Sequence, residues 1–243
     1  MNAMLEEQIE AQMTNARVNN VIVSSGDKLS SLAHKAYYSI KESIMKNEFK
    51  PGDCLSENAL AQALGMSRTP IREAIKVLSS EGLIEIHNGV GAFIKHITVK
   101  EIHDIFEVRS ALECVAVDSA LARITKEELE VIEKDWLKLY DDVVAGKPIG
   151  YGILSEYDSK LHELIVVKCD NDFIINIIAG IRAKIARFQK ISATALGDEL
   201  DTINQHLALI KIMKSGNAEA LKHELKAHIL LAENLILKNP NVR

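Results

Sequence analysis

Between Ser56 and Leu83 the chain reads SENALAQALGMSRTPIREAIKVLSSEGL. Two short amphipathic stretches flank one glycine, and few folds accept that pattern. The first stretch predicts a helix from about Ser56 to Ala63, the second a helix from about Arg68 to Ser80. Leu64-Gly65-Met66 joins them, with glycine where the chain has to bend sharply. This is the helix-turn-helix arrangement, whose second helix enters the major groove of DNA.

The second helix carries the matching chemistry. Ser67 is expected to cap it by accepting an orphan backbone N–H. Pro70 falls in the first turn, where its missing N–H costs nothing. Ile71, Ala74, Ile75 and Leu78 recur at helical spacing and form a stripe to be buried. Arg68, Arg72 and Lys76 recur every four residues and form a basic stripe beside it. Arg68, Thr69 and Arg72 crowd the N-terminal half, the part that reaches base edges in such motifs. A solvated face on an ordinary packing helix would also show three basic residues. The agreement of turn, cap and spacing favours the DNA reader.

Gly82 follows as a helix-ending glycine. Leu83-Ile84-Glu85-Ile86 alternates like a half-buried strand, His87-Asn88-Gly89 signals a tight turn, and Gly91-Ala92-Phe93-Ile94 begins a return strand. A helix-turn-helix with such a hairpin is a winged helix. Its tip, Asn88 to Gly91, is placed to lie along a minor groove or a row of phosphates.

The net charge of −5 argues at first against a DNA partner, but the charge is unevenly spread. Residues 1–28 carry a net −2, residues 29–97 a net +1 and residues 98–243 a net −4. A near-neutral DNA-binding region implies few phosphate contacts per subunit, so tight binding calls for two subunits on one site. The three cysteines, Cys54, Cys114 and Cys169, are odd in number, far apart and outside CxxC pairs. That pattern fits a reduced, cytoplasmic compartment rather than a disulfide framework. The apolar run from Phe173 to Ile181 is short and contains Asn176, so no membrane span is expected. The acidic start, MNAMLEEQIEAQM, does not read as a secretory signal.

These features predict a mainly α-helical chain with three regions. Residues 1–28 form a tail in which Met4 to Met13 can make a short helix. Residues 29–97 form the winged-helix domain, entered through an amphipathic helix at Leu29 to Asn47. Residues 98–243 form an all-helical domain. Six helices are expected there, at roughly 99–122, 125–145, 150–168, 172–192, 198–215 and 217–238. Thr125 with Glu128 is a capping box, and breaks fall at Gly146-Lys147-Pro148, at Lys168 to Asn171 and at Ser215-Gly216-Asn217. Recurrence of apolar residues at three and four makes this an antiparallel bundle.

Four residues in the bundle carry chemistry. Asp158 and His162 are four apart and share a helix face. His206 lies mid-helix in the fifth element and His228 mid-helix in the sixth, across a short turn that sets them at similar heights. Three imidazoles and a carboxylate pointing into a bundle make a metal site. Hydrogen-bonded core histidines would give the same pattern, and the residues alone leave both readings open. His34, His87, His96, His103 and His223 fall outside the geometry.

The segments Pro51 to Glu57, Leu60-Ala61, Leu64 to Ala74 and Glu81-Gly82-Leu83 resemble the DNA-binding domain of the GntR family of bacterial transcription regulators. The resemblance runs from roughly Ala33 to Ile97. It implies DNA contacts at Ser67, Arg68, Thr69, Arg72 and Gly89. Asn58 and Val90 stand where many members carry arginine, which implies fewer contacts here. Residues from about Glu101 to His228 resemble the all-helical, metal-binding effector (FCD) domain of the FadR-type subfamily. The matching pieces are Val108-Arg109 with Leu112-Glu113, Asp158 with Leu161-His162, His206 with Ile210, and Gly216 to Ala220 leading to His228. Asn217 replaces a common aspartate at a helix cap.

That resemblance implies a divalent metal of the zinc, nickel or manganese type on Asp158, His162, His206 and His228, completed by a small carboxylate effector. Arg109 is a candidate for holding the effector's carboxylate, because guanidinium pairs with it bidentately. An i,i+4 ion pair with Glu113 is the equal alternative. Arg182 and Arg187 are weaker candidates for holding the carboxylate and read more readily as surface charges. The function implied is an effector-controlled regulator, in the usual mode a repressor, binding a pseudo-palindromic operator as a homodimer. The alternative is a metal-dependent hydrolase or lyase with an accessory winged helix, using Asp158 or Glu163 as base. Against it, no separate nucleophile or oxyanion donor set stands out, so no enzymatic activity is expected.

Overall fold

The computed structural model describes residues 30–147, 149, 151–195 and 198–238. The expected tail helix, and Pro148 of the expected break, lie outside them. The chain divides into two compact units, with the boundary between Lys95 and His96.

The first unit is the winged helix. Helix α1 (Ser31–Met45) is capped by Ser30, whose hydroxyl accepts the Ala33 N–H at 3.2 Å. Ala33, Ala36, Tyr37, Ile40 and Ile44 form its buried face, which packs on helix α3 (Arg68–Ser80). Helix α2 (Glu57–Leu64) ends at Gly65. That residue sits at φ +62°, a left-handed conformation that favours glycine. Ile71, Ala74, Ile75 and Leu78 of α3 are buried as expected. Fully burying Ile71, Ile75 or Leu78 is worth about 1.5–3 kcal/mol each. A polar clasp fixes the far end of α3. Tyr37 donates its hydroxyl hydrogen to Glu81 at 2.5 Å, and the Lys41 ammonium reaches the same carboxylate at 2.9 Å.

The wing has strands β2 (Ile84–His87) and β3 (Gly91–Ile94), antiparallel with Ile84 opposite Ile94 and His87 opposite Gly91. Gly89 turns the tip at φ +77°. Strand β1 (Cys54–Leu55) pairs with the other side of β3, giving the order β1-β3-β2. Two readings of the sequence change here. Leu83 and Ile84 are both buried, and Ile86 is 46% exposed. The strand begins one residue later than the alternation suggested, and its outer end runs towards the exposed tip. Ser67 occupies the N-cap position of α3 in extended conformation, but its side chain makes no capping bond. The residue is exposed instead.

The second unit is a helical bundle of α4 (Val99–Leu121), α5 (Lys126–Val144), α6 (Tyr151–Lys168), α7 (Asp172–Ala195), α8 (Glu199–Ser215) and α9 (Ala218–Leu237). Thr98, Asp198 and Asn217 cap α4, α8 and α9. Thr125 and Glu128 form the reciprocal capping box of α5. Gly216, at φ +69°, turns α8 into α9. Helix α4 packs against α6, α7 and α9, and α8 against α5 and α9. Phe106, Val117, Trp136, Leu161, Phe188, Ile210, Leu225 and Ile229 lie in one core. Among the described residues no helix is long and apolar enough to cross a membrane.

Candidate DNA-reading surface and metal centre

The buried stripe of α3 turns the opposite face to solvent. Ser67, Arg68, Thr69, Arg72 and Lys76 are all exposed, as are Asn88, Gly89 and Val90 at the wing tip. A helix presented with its N-terminal half and basic stripe exposed, beside an exposed hairpin, suits insertion into a groove. Arg68 and Arg72 are not simply solvated. Both reach back to Glu57 of α2, Arg72 at 2.8 Å and Arg68 at 3.2 Å.

In the second unit the four expected ligands meet. Asp158 and His162 stand one turn apart on α6, His206 comes from α8 and His228 from α9. One ligand atom from each lies within 4.8 Å of the others. The centre is a single oxygen. Asp158 Oδ1 has His206 Nε2 at 2.9 Å, His228 Nε2 at 3.3 Å and His162 Nε2 at 3.5 Å. His162 and His206 are buried, and Asp158 is nearly so.

The outward nitrogens fix the chemistry of the inward ones. His162 Nδ1 faces Glu113 Oε2 at 2.5 Å, His206 Nδ1 faces the Thr202 carbonyl at 2.7 Å, and His228 Nδ1 faces Gln205 Oε1 at 3.3 Å. All three partners are acceptors, so each Nδ1 donates. A neutral imidazole that donates from Nδ1 carries a lone pair on Nε2. With Nδ1 engaged by an acceptor, the nitrogen that each ring turns toward Asp158 Oδ1 is Nε2, the one a bound cation could take. Burial drives His228 down to about 4, outweighing the Asp158 carboxylate, so it is uncharged at neutral pH. Burial opposes ionisation of Asp158 as well, yet the three histidines hold its carboxyl well below the ordinary value. Burial also works against a charged His162, but the negative charges of Glu113 and Asp158 raise it above the ordinary value. His162 Nε2 is buried and has no hydrogen-bond partner. Atoms bound to one ion at about 2.0–2.1 Å stand about 3.0–3.5 Å apart; the three distances to Asp158 Oδ1, 2.9, 3.3 and 3.5 Å, are close to that, while the whole set spans up to 4.8 Å. The residues therefore fit a divalent metal, and N₃O donation suits zinc, nickel or manganese.

Behind the ligands sits a buried chain. Arg109 Nε donates to Glu113 Oε1 at 2.7 Å, with both side chains 2% exposed. Burial alone would raise the Glu113 carboxyl, but the neighbouring His162 and Arg109 charges hold it at about 2. The ion pair between Arg109 and Glu113 thus forms, inside the bundle rather than on its surface. On the other flank, the Trp136 ring stacks on His206 at 4.0 Å and 10°. Arg187 corrects the sequence reading. It is 8% exposed rather than a surface charge, because its helix turns that face toward the start of α4. Burial lowers its guanidinium to about 10, against the opposing pull of Glu101. Arg182 is half-exposed and paired with Glu163 at 2.6 Å.

A winged helix-turn-helix with an exposed basic reading face, together with a helical bundle built round a buried His/Asp cluster that could hold a metal, defines a DNA-binding transcription regulator. Residues 32–94 match the bacterial regulatory proteins of the gntR family and residues 104–231 match the FCD domain, and the chain belongs to the GntR family of regulators, in its FCD-containing branch. It is 29% identical over 192 residues to the HTH-type transcriptional regulator YdhC of Bacillus subtilis (strain 168), covering 79% of this chain and 85% of that one. It is 30% identical over 158 residues to the gluconate operon transcriptional repressor of the same organism, covering 64% and 62%. The solved structure of Escherichia coli McbR/YncC shares the fold, with a TM-score of 0.71 at 19% identity over 86% of this chain and 98% of that one.

Sequence reasoning missed the supports: Glu113 as a partner of His162, Thr202, Gln205, Trp136, and Glu57 on the reading face. One signal was available. Thr202 precedes His206 by one helical turn, so its carbonyl lies beneath that ring.

Proposed function

We propose that this chain is a cytoplasmic repressor that binds a pseudo-palindromic operator as a homodimer and is controlled by a small carboxylate at a metal site. Ser67, Arg68, Thr69, Arg72 and Gly89 contact DNA. Asp158, His162, His206 and His228 hold the metal, and Arg109, whose Nε is already held by Glu113, is the candidate for the effector's carboxylate through its remaining N–H donors. The supporting observation is the convergence of three Nε2 atoms on Asp158 Oδ1 with every Nδ1 facing an acceptor. A divalent ion bound there would supply a Lewis-acidic point for a carboxylate. The chain's own part is to hold the imidazole rings in place and to exclude water through Trp136 and the bundle core. Effector binding changes DNA affinity only by the difference in its affinity for the two states. The relative named as an operon repressor supports repression over activation. The hydrolase or lyase reading is disfavoured, since Glu163, one of its two candidate bases, is engaged by Arg182.

The test is His206→Ala. Bound metal, measured by elemental analysis, should fall, and the response to carboxylates should go with it, while DNA binding of the metal-free protein is retained. Metal content equal to that of the wild type would remove the site. A thermal-shift screen of small carboxylic acids, with and without chelator, identifies the effector. A ligand at 100 times its dissociation constant adds about 2.7 kcal/mol of stability.

A further inference from the structure

Glu57 opens α2 directly after its capping residue Ser56, whose hydroxyl accepts the Ala59 N–H at 3.3 Å. That cap fixes where the side chain leaves the backbone. From there the carboxylate crosses the turn to the reading helix. Its Oε1 accepts from Arg72 Nε at 3.1 Å, and its Oε2 accepts from Arg72 Nη2 at 2.8 Å and Arg68 Nη2 at 3.2 Å. The hydrogen bond from Arg72 is the main reason the Glu57 carboxyl lies below its ordinary value.

A guanidinium has five N–H donors in a rigid plane. Glu57 takes Arg72 side-on, through Nε and one Nη. The end-on fork, Nη1 with the second hydrogen of Nη2, is left free. That remaining fork can still pair with O6 and N7 of a guanine. An arginine without such a partner keeps rotamer freedom that it must lose on reading a base. Held from behind, it has already lost most of it.

The placement also has a cost. A carboxylate on the face that meets DNA repels phosphates, so it weakens binding to every sequence alike. If Glu57 were an ordinary surface ion pair, it would add little to folding and do nothing for sequence choice. An acidic side chain on a DNA-facing surface, clamped to the two arginines best placed to read bases, suits another role.

We propose that Glu57 is a positioning residue for DNA reading: it orients Arg72, and secondarily Arg68, trading general affinity for sequence discrimination. The proposal rests on α3 being the reader.

The test uses the full chain and two duplexes: one selected by the wild-type chain from a random-sequence pool, and a scrambled duplex of the same composition. Binding of wild type, Glu57→Gln, Arg72→Ala and the double variant is measured by fluorescence anisotropy across a salt series. Glu57→Gln removes a charge at an exposed position and keeps the side chain's shape, and its fold is checked by circular dichroism. It should bind the scrambled duplex as tightly as wild type or more tightly. Its preference for the selected duplex should fall about tenfold, within the range for one bidentate base contact. In the Arg72→Ala background, Glu57→Gln should change that preference little, because the arginine it positions is gone. An unchanged or increased preference in Glu57→Gln overturns the proposal, as does an equal loss with and without Arg72. If Arg72→Ala, and Arg68→Ala measured in the same way, both leave the wild-type preference intact, α3 is not the reader and the proposal falls with that reading.

Discussion

Replacing Glu113 with glutamine separates two quantities that the structure ties together. Glu113 Oε2 accepts from His162 Nδ1 at 2.5 Å and Oε1 accepts from Arg109 Nε at 2.7 Å, in a bundle interior where both acid and base are 2% exposed. Glutamine keeps the size but loses the charge, and its amide nitrogen turns an acceptor into a donor. Removing a carboxylate that backs a ligating histidine lowers metal affinity about 10–100-fold, or about 1.4–2.7 kcal/mol. Independently, Arg109 becomes an uncompensated buried cation, and breaking such a pair costs the fold about 3–5 kcal/mol. The melting temperature in chelator should therefore drop by several degrees. Adding Arg109→Met removes the stranded charge and should recover much of that stability, while metal affinity stays low. The assay is competition for zinc or nickel against a chromophoric chelator, paired with melts followed by circular dichroism. A Glu113→Gln protein that is folded and binds metal with the wild-type dissociation constant would refute the idea that this carboxylate holds His162.

Other outcomes follow from the same geometry. Arg72→Ala should cost about 1–3 kcal/mol of binding to a preferred duplex, read by anisotropy at fixed salt, if it contacts a guanine. Lys76→Ala should weaken binding to all sequences and reduce the salt slope by about 1, as loss of one phosphate contact does. Leu78→Ala, at a fully buried position of α3, should destabilise the winged helix by about 2–5 kcal/mol in denaturant titration. Gly65→Ala should be destabilising by about 1 kcal/mol or more. No atom lies within 4 Å of the added methyl, so the cost is the left-handed backbone alone.

The elements written in local patterns were legible. Apolar recurrence placed α3 and the six bundle helices within a few residues, and Gly65 and Gly216 marked turns that only a left-handed residue makes cheaply. Asp158 with His162 was readable because a helix sets residues four apart on one face. Pairing between distant positions was not. Strand β1 has two residues, too few to show a period, and exists only because β3 lies beside it. Glu113 and His162 are 49 residues apart, and Glu57 and Arg72 are 15 apart. Nothing in the spacing announces either contact. Ser67 shows the reverse failure. Its type and position announce a capping bond that its side chain does not make. Arg187 reads as solvated by residue type, and tertiary packing buries it.

Trp136 is the chain's sole tryptophan, and it lies flat against the imidazole of His206. Its ultraviolet emission therefore originates at one known place, in van der Waals contact with a group that changes electronically whenever its nitrogen gains a proton or an ion. Indole fluorescence of the unlabelled protein becomes a local gauge of that ring, readable in a cuvette during any titration without a dye that could disturb the bundle.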